Sequence, residues 1–124
     1  MIFYKPETVF SNIAYLFENV SIEPGTDYGA YVGFDDDGKA VGKCLMKIKG
    51  YNCFILSIDC DYSDKLLVEG FIRAALNFCA NRSAYMAHCG ISEIQDVLLY
   101  LGFENINGVY TGDIPTLLKG SCCK

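Results

Sequence analysis

The chain has 124 residues, 52% of them hydrophobic and 20% charged, which is enough apolar material to bury one core without staples and too much for disorder. A net charge of -5 with scattered lysines excludes the concentrated basic face that nucleic-acid binding needs. No apolar run reaches the roughly 18 residues of a membrane span, and residues 1–5 lack the basic start and apolar core of a signal peptide, so a cytoplasmic protein without membrane association is expected.

Pro6 lacks the N–H that a first helical turn cannot use, and Val9, Phe10, Ile13, Leu16 and Phe17 follow at helical spacing. This predicts a helix opening at Pro6 and running to about Asn19. A loop around Glu23, Pro24 and Gly25 leads to a strand over residues 28–34, then to the acidic turn Asp35-Asp36-Asp37-Gly38. The turn lacks the later bidentate acid of a calcium loop, Met46 and Lys47 standing there instead, so it reads as a solvated hairpin turn.

Over residues 40–49, Cys44, Met46 and Ile48 alternate with Lys43, Leu45, Lys47 and Lys49, the period of a strand with one wet face. Residues 51–60 are almost continuously apolar and predict a central strand covered on both faces. An amphipathic helix is expected over residues 64–82, with Leu67, Phe71, Ala74, Ala75 and Phe78 inward and Lys65, Glu69, Arg73 and Asn77 as a polar stripe. A strand over residues 84–89 follows, expected to lie parallel to the central one. Ser92 and Gln95 have the spacing of a capping box for a helix carrying Ile94, Val97, Leu98 and Leu101 inward. Gly102 stops that helix, Asn107-Gly108 turns a hairpin, and Asp113-Ile114-Pro115 opens a short helix ended by Gly120. No linker or repeat divides residues 1–124, which read as a single domain.

Of the seven cysteines, Cys44, Cys53, Cys60, Cys79 and Cys89 fall in apolar patterns and read as buried free thiols. There is no Cys-x-x-Cys pair, and adjacent His88 and Cys89 face opposite ways on a strand, so no metal site is expected. Cys122 and Cys123 follow the stop at Gly120 and are expected to be exposed and reduced.

The order helix, three strands, helix, strand, helix, hairpin, with Leu101-Gly102-Phe103 closing the last long helix, resembles the strand, helix, three strands, helix, strand, helix and hairpin of a compact domain of the GNAT (general N-acetyltransferase) superfamily. The resemblance implies an α/β (α+β) fold: a mixed, mostly antiparallel sheet with helices on both faces. It implies acetyl-CoA or CoA as ligand, its pantetheine arm pairing with the backbone of Ile58 and Cys60 between splayed strands. The family's Gln/Arg-x-x-Gly-x-Gly/Ala phosphate loop falls on Lys65, Val68 and Gly70 in one register and on Leu67, Gly70 and Ile72 in another that matches Arg73-Ala74-Ala75-Leu76 to an arginine-alanine-leucine-leucine stretch. One glycine of two is kept either way. Leu98 stands where the family keeps its general-acid tyrosine, and Tyr100 lies about 200° further round the helix. Asp59 and Tyr110 are the remaining catalytic candidates, with Asp61 beside Asp59 at the same strand end.

The resemblance therefore implies a CoA-type ligand and leaves a homodimer open. Three functions stay in view: a non-catalytic or weakly active acyl-CoA-binding module, an acetyl-CoA-dependent N-acyltransferase acting on a small amine or peptide, and a thiol-based redox or metal-handling protein using Cys122 and Cys123.

Overall fold

Tight turns between short apolar strands build most of the sheet from hairpins. In the computed structural model, which describes residues 1–18, 20–23 and 25–120, the elements are β1 (Phe3–Glu7), α1 (Phe10–Leu16), β2 (Asp27–Phe34), β3 (Ala40–Lys49), β4 (Asn52–Cys60), α2 (Lys65–Ala80), β5 (Met86–Cys89), α3 (Gln95–Leu101), β6 (Glu104–Ile106), β7 (Val109–Asp113) and α4 (Ile114–Gly120). One seven-stranded sheet runs β1-β2-β3-β4-β5-β7-β6. Every pairing is antiparallel except β4 with β5. The Cys122 and Cys123 tail lies outside the described residues, and no described helix is long and apolar enough to cross a membrane.

Local chemistry closes the turns. The Asp35 carboxylate accepts the N–H groups of Asp37 and Lys39, both at 2.9 Å, joining β2 to β3. At the end of α3, Gly102 takes φ +113°, its N–H bonds to the Leu99 carbonyl, and that of Phe103 bonds to Leu98. This is the paired C-terminal closure for which glycine lacks a steric penalty. Asn107 and Gly108 both have positive φ, the type I′ turn that suits a two-residue hairpin.

The larger core lies on one face of the sheet. Val68, Phe71, Ile72, Ala75 and Leu76 of α2 meet Cys44, Met46, Cys53, Ile55 and Ile58 of β3 and β4, with Leu98, Leu101, Ile114 and Leu117 completing it from α3 and α4. A fully buried side chain such as Phe71 contributes about 1.5–3 kcal/mol by leaving water. On the opposite face, Ile13 and Phe17 cover Ala30 and Leu45 in a smaller core. Helices thus occupy both faces of a mixed, mostly antiparallel sheet, as expected.

Four local expectations are corrected. Pro6 does not open the first helix: it lies in edge strand β1, opposite Tyr31, where proline is tolerated. Helix α1 starts only at Phe10, led in by Glu7, whose carboxylate accepts the N–H groups of Thr8 and Val9, and it ends at Leu16; Asn19 is outside the described residues. The face of β3 bearing Leu45 is not simply wet, because α1 buries Leu45 completely and Lys43 Nζ donates to the Leu16 carbonyl at 2.6 Å. Nor is β4 covered on both sides, since Leu56 and Asp59 remain exposed and Phe54 and Ser57 half-buried. Finally, Ser92 and Gln95 form no capping box: Ser92 begins a short 3-10 turn without a side-chain cap, and the Gln95 side-chain oxygen instead accepts the Tyr110 hydroxyl at 2.7 Å.

Candidate functional site

The centre of the sheet contains a break in strand pairing. Along β3 and β4, Leu45 faces Ser57 and Met46 faces Ile55, so Leu56 is the extra residue of a β-bulge. Strand β5 pairs with β4 only from Asn52 opposite Met86 to Ile55 opposite Cys89. Residues 56–60 continue past that last rung alongside β3 alone. Ile58 and Cys60, the backbone positions expected to meet a pantetheine arm, both lie on this stretch.

Immediately beyond, the chain turns into α2. The Asp61 carboxylate accepts the Ser63 hydroxyl at 2.6 Å and the Ser63 N–H at 3.0 Å, and these bonds hold its pKa below the usual carboxylate range. Asp64 caps α2 by accepting the Leu67 N–H at 3.2 Å, as a short acidic side chain does at a helix start. Lys65 in the first turn reaches across to Asp96 in α3 at 2.7 Å. That contact, first as a hydrogen bond, lowers the Asp96 pKa. Between the two helices is a cavity of about 310 Å³ lined by Lys65, Leu66, Glu69, Asp96, Val97 and Tyr100.

The other loop candidates, Val68 and Gly70 with Leu67 and Ile72 of the second register, do not line this cavity. Val68 is fully buried. Gly70 lies in the second turn of α2, where an added Cβ would collide with the Tyr4 phenol. Its close approach is to a side chain of β1, and Tyr4 in turn donates to the Leu67 carbonyl at 3.2 Å. Sequence reasoning missed Tyr4 because its partners lie more than sixty residues away.

The candidate catalytic groups are not brought together. Asp59 is 72% exposed and faces Lys43, 3.9 Å away, on the side of the sheet where Lys43 also lies over the Phe17 ring. Tyr110 is buried in the larger core on the opposite side, its hydroxyl engaged by Gln95. Leu98, which the resemblance matched to a general-acid tyrosine, is 0% exposed and part of the core. Tyr100 faces the cavity between α2 and α3, consistent with its different bearing on the helix.

A polar group on the α1 side of the sheet also escaped the sequence. His88 stacks on Phe54, ring centroids 5.0 Å apart, with Nε2 2.9 Å from Asn52 Oδ1 and Nδ1 3.1 Å from Thr111 Oγ1. An amide oxygen only accepts, so Nε2 donates to Asn52. Both ring nitrogens are engaged. Cys89 points the other way into the core, as strand alternation predicted. Among the described residues, no group of His, Cys, Asp and Glu is arranged to hold a metal, and Cys44, Cys53, Cys60, Cys79 and Cys89 are free thiols.

No protein-family model matches the chain, and no curated protein matches it by sequence. Solved structures do. A "probable acetyltransferase" from Staphylococcus epidermidis ATCC 12228 superposes with TM-score 0.69 at 13% identity, covering 91% of this chain and 99% of its own. An acetyltransferase of the GNAT family from Staphylococcus aureus Mu50 gives TM-score 0.61 at 9% identity, with 90% and 99% covered. This chain has the GNAT fold. The ribosomal-protein-S18-alanine N-acetyltransferase of Escherichia coli is similar too, at TM-score 0.63 and 11% identity over 90% of this chain and 94% of that one. At such identities the GNAT likeness is one of backbone architecture, and residue roles rest on this chain's own side chains.

Proposed function

We propose that this protein is a GNAT-fold module that binds the pantetheine arm of a CoA-type ligand without efficient acyl transfer of its own. The observation that carries the reading is the run of β4 beyond the Leu56 bulge, paired with β3 but not with β5 and ending at the start of α2. An extended amide-bearing arm satisfies such backbone groups as an added strand would. Ile58 and Cys60 would supply those groups, and Lys65 is the cation nearest to where phosphates would follow. The fit is poorer at the phosphates. The Asp64 carboxylate already takes the helix N–H that an anion would use, and Glu69 and Asp96 outnumber Lys65 in the adjoining cavity.

Leu98 in the core and the separation of Asp59 from Tyr110 support the absence of efficient catalysis, since a positioned general acid is typically worth on the order of 10² to 10⁴ in rate. Calorimetric titration with pantetheine, CoA and acetyl-CoA, beside an acetyl-transfer assay on amines and peptides, tests the reading. Binding with negligible turnover is expected. Robust wild-type turnover, abolished by Asp59→Asn or Tyr110→Phe, would instead establish the acetyl-CoA-dependent N-acyltransferase that the names of its structural neighbours suggest.

A further inference from the structure

We infer that Tyr62 gates the slot beside β4: its side chain folds back along the strand with its hydroxyl on the Ile58 carbonyl, and a pantetheine arm enters by displacing it. The inference rests on the ligand reading above and adds a control to it.

The chain leaves β4 at Cys60, yet two residues later Tyr62 donates its hydroxyl to Ile58, four residues back and beyond the last rung shared with β5. To reach that carbonyl, the side chain must lie beside residues 58–60 rather than project into solvent. Tyr62 packs against the larger core, as Ile91 does from the segment following β5. Burial, then the nearby charge of Glu93, raises the pKa of its hydroxyl, with smaller effects from Cys60, Asp59 and Cys89. Cys60 and Asp59 belong to β4, whereas Cys89 and Glu93 belong to β5 and the segment after it, so charges on both sides of the slot act on the phenol.

The backbone around Tyr62 is fixed on both sides. Asp61 accepts from Ser63, and its carbonyl accepts the Asp64 N–H at 3.1 Å. Opening is therefore a rotation of the Tyr62 side chain and leaves the α2 cap intact. The closed conformer lowers apparent affinity by the fraction of protein that it occupies.

Pantetheine and CoA are titrated calorimetrically into the wild type, Tyr62→Ala and Tyr62→Phe, with thermal unfolding to check each fold. Tyr62→Ala is expected to bind pantetheine roughly fivefold to tenfold tighter, the scale of one hydrogen bond released on opening. Tyr62→Phe, which keeps the ring and loses the hydroxyl, should fall between. Equal affinities in all three proteins would overturn the gate and leave the ligand reading standing. No binding of either ligand by wild type or by folded Tyr62→Ala would overturn both. Were Tyr62→Ala not to fold, Tyr62→Phe decides: a gain of roughly threefold supports the gate, and no gain rejects it.

Discussion

The Tyr4 phenol fills the notch that Gly70 leaves in α2, so closely that even one methyl group on Gly70 would overlap it. The same phenol packs edge-on against Phe71, centroids 5.0 Å apart, and its hydroxyl reaches the Leu67 carbonyl. This contact seats α2 on the edge strand β1. Gly70→Ala should therefore cost about 1–3 kcal/mol by overpacking, read from the urea midpoint. In a Tyr4→Ala background the notch is empty, and the same substitution should stabilise by about 0.5–1 kcal/mol through helix propensity alone. A like sign in both backgrounds would refute the packing account. The contact also means that weaker CoA binding by Gly70→Val would not by itself assign Gly70 to the ligand.

The ion pair between Lys65 and Asp96 makes the phosphate end of the slot testable apart from its pantetheine end. With two acids and one lysine lining the cavity, Asp96→Asn should free Lys65 and tighten CoA severalfold while leaving pantetheine unchanged. In the wild type, raising salt from low to physiological strength should not weaken CoA, because screening removes repulsion as well as attraction. An unchanged ratio of CoA to pantetheine affinity in Asp96→Asn would show that no phosphate approaches Lys65.

The buried thiols give alkaline stability a definite sign. Burial pushes Cys44 up to about 12 and Cys89 to about 11, while a hydrogen bond with Cys79, and then burial, drives Cys53 upward. These groups bind their protons more tightly when folded. Their contribution is full below the ordinary thiol value of 9.0 and is lost as pH rises towards 11 and 12, at about 1.4 kcal/mol per pH unit for each fully buried thiol. Urea midpoints should fall steadily above pH 9, and flat midpoints to pH 11 would contradict the burial.

Cys60, expected from its apolar surroundings in sequence to be buried, is only half-buried because it ends β4 beyond the last rung shared with β5, although burial and then Asp59 raise its pKa to about 11. Alkylation of the native protein near pH 8, read by mass spectrometry, should label Cys60 before the other four described thiols. Cys44 or Cys79 reacting first would mean that α2 opens from the sheet more readily than its packing allows.

Leu98→Tyr places the residue type that the GNAT resemblance suggests at a position with no room for it. A phenol in that fully buried place should cost about 1–3 kcal/mol by overpacking and create no acetyl transfer, because Asp59, the candidate base, lies on the other side of the sheet. Thermal unfolding and the transfer assay check the two halves. A stable, active variant would relocate the catalytic centre to α3.

Features set by a few neighbouring residues were legible in the sequence. Gly102 ends α3 because the backbone there needs positive φ, Asn107-Gly108 closes its hairpin for the same reason, and the apolar run of β4 followed by an amphipathic helix specified the parallel neighbour β5. The order of those elements was enough to indicate the GNAT fold, since short connections leave few ways to pack them. Tertiary structure decided what depends on distant partners: Pro6 became part of a strand by pairing with β2, Leu45 was buried by α1, and Gln95 bonded Tyr110 rather than Ser92. Gly70, a glycine that fitted a phosphate loop by spacing, received Tyr4 from the far end of the chain. The open edge of β4 arose likewise from register, one extra residue at Leu56 and a β5 that stops at Cys89. Local conformational preference can write a turn or a period into ten residues, but which surfaces meet is settled by long-range packing, and the site is made of those meetings.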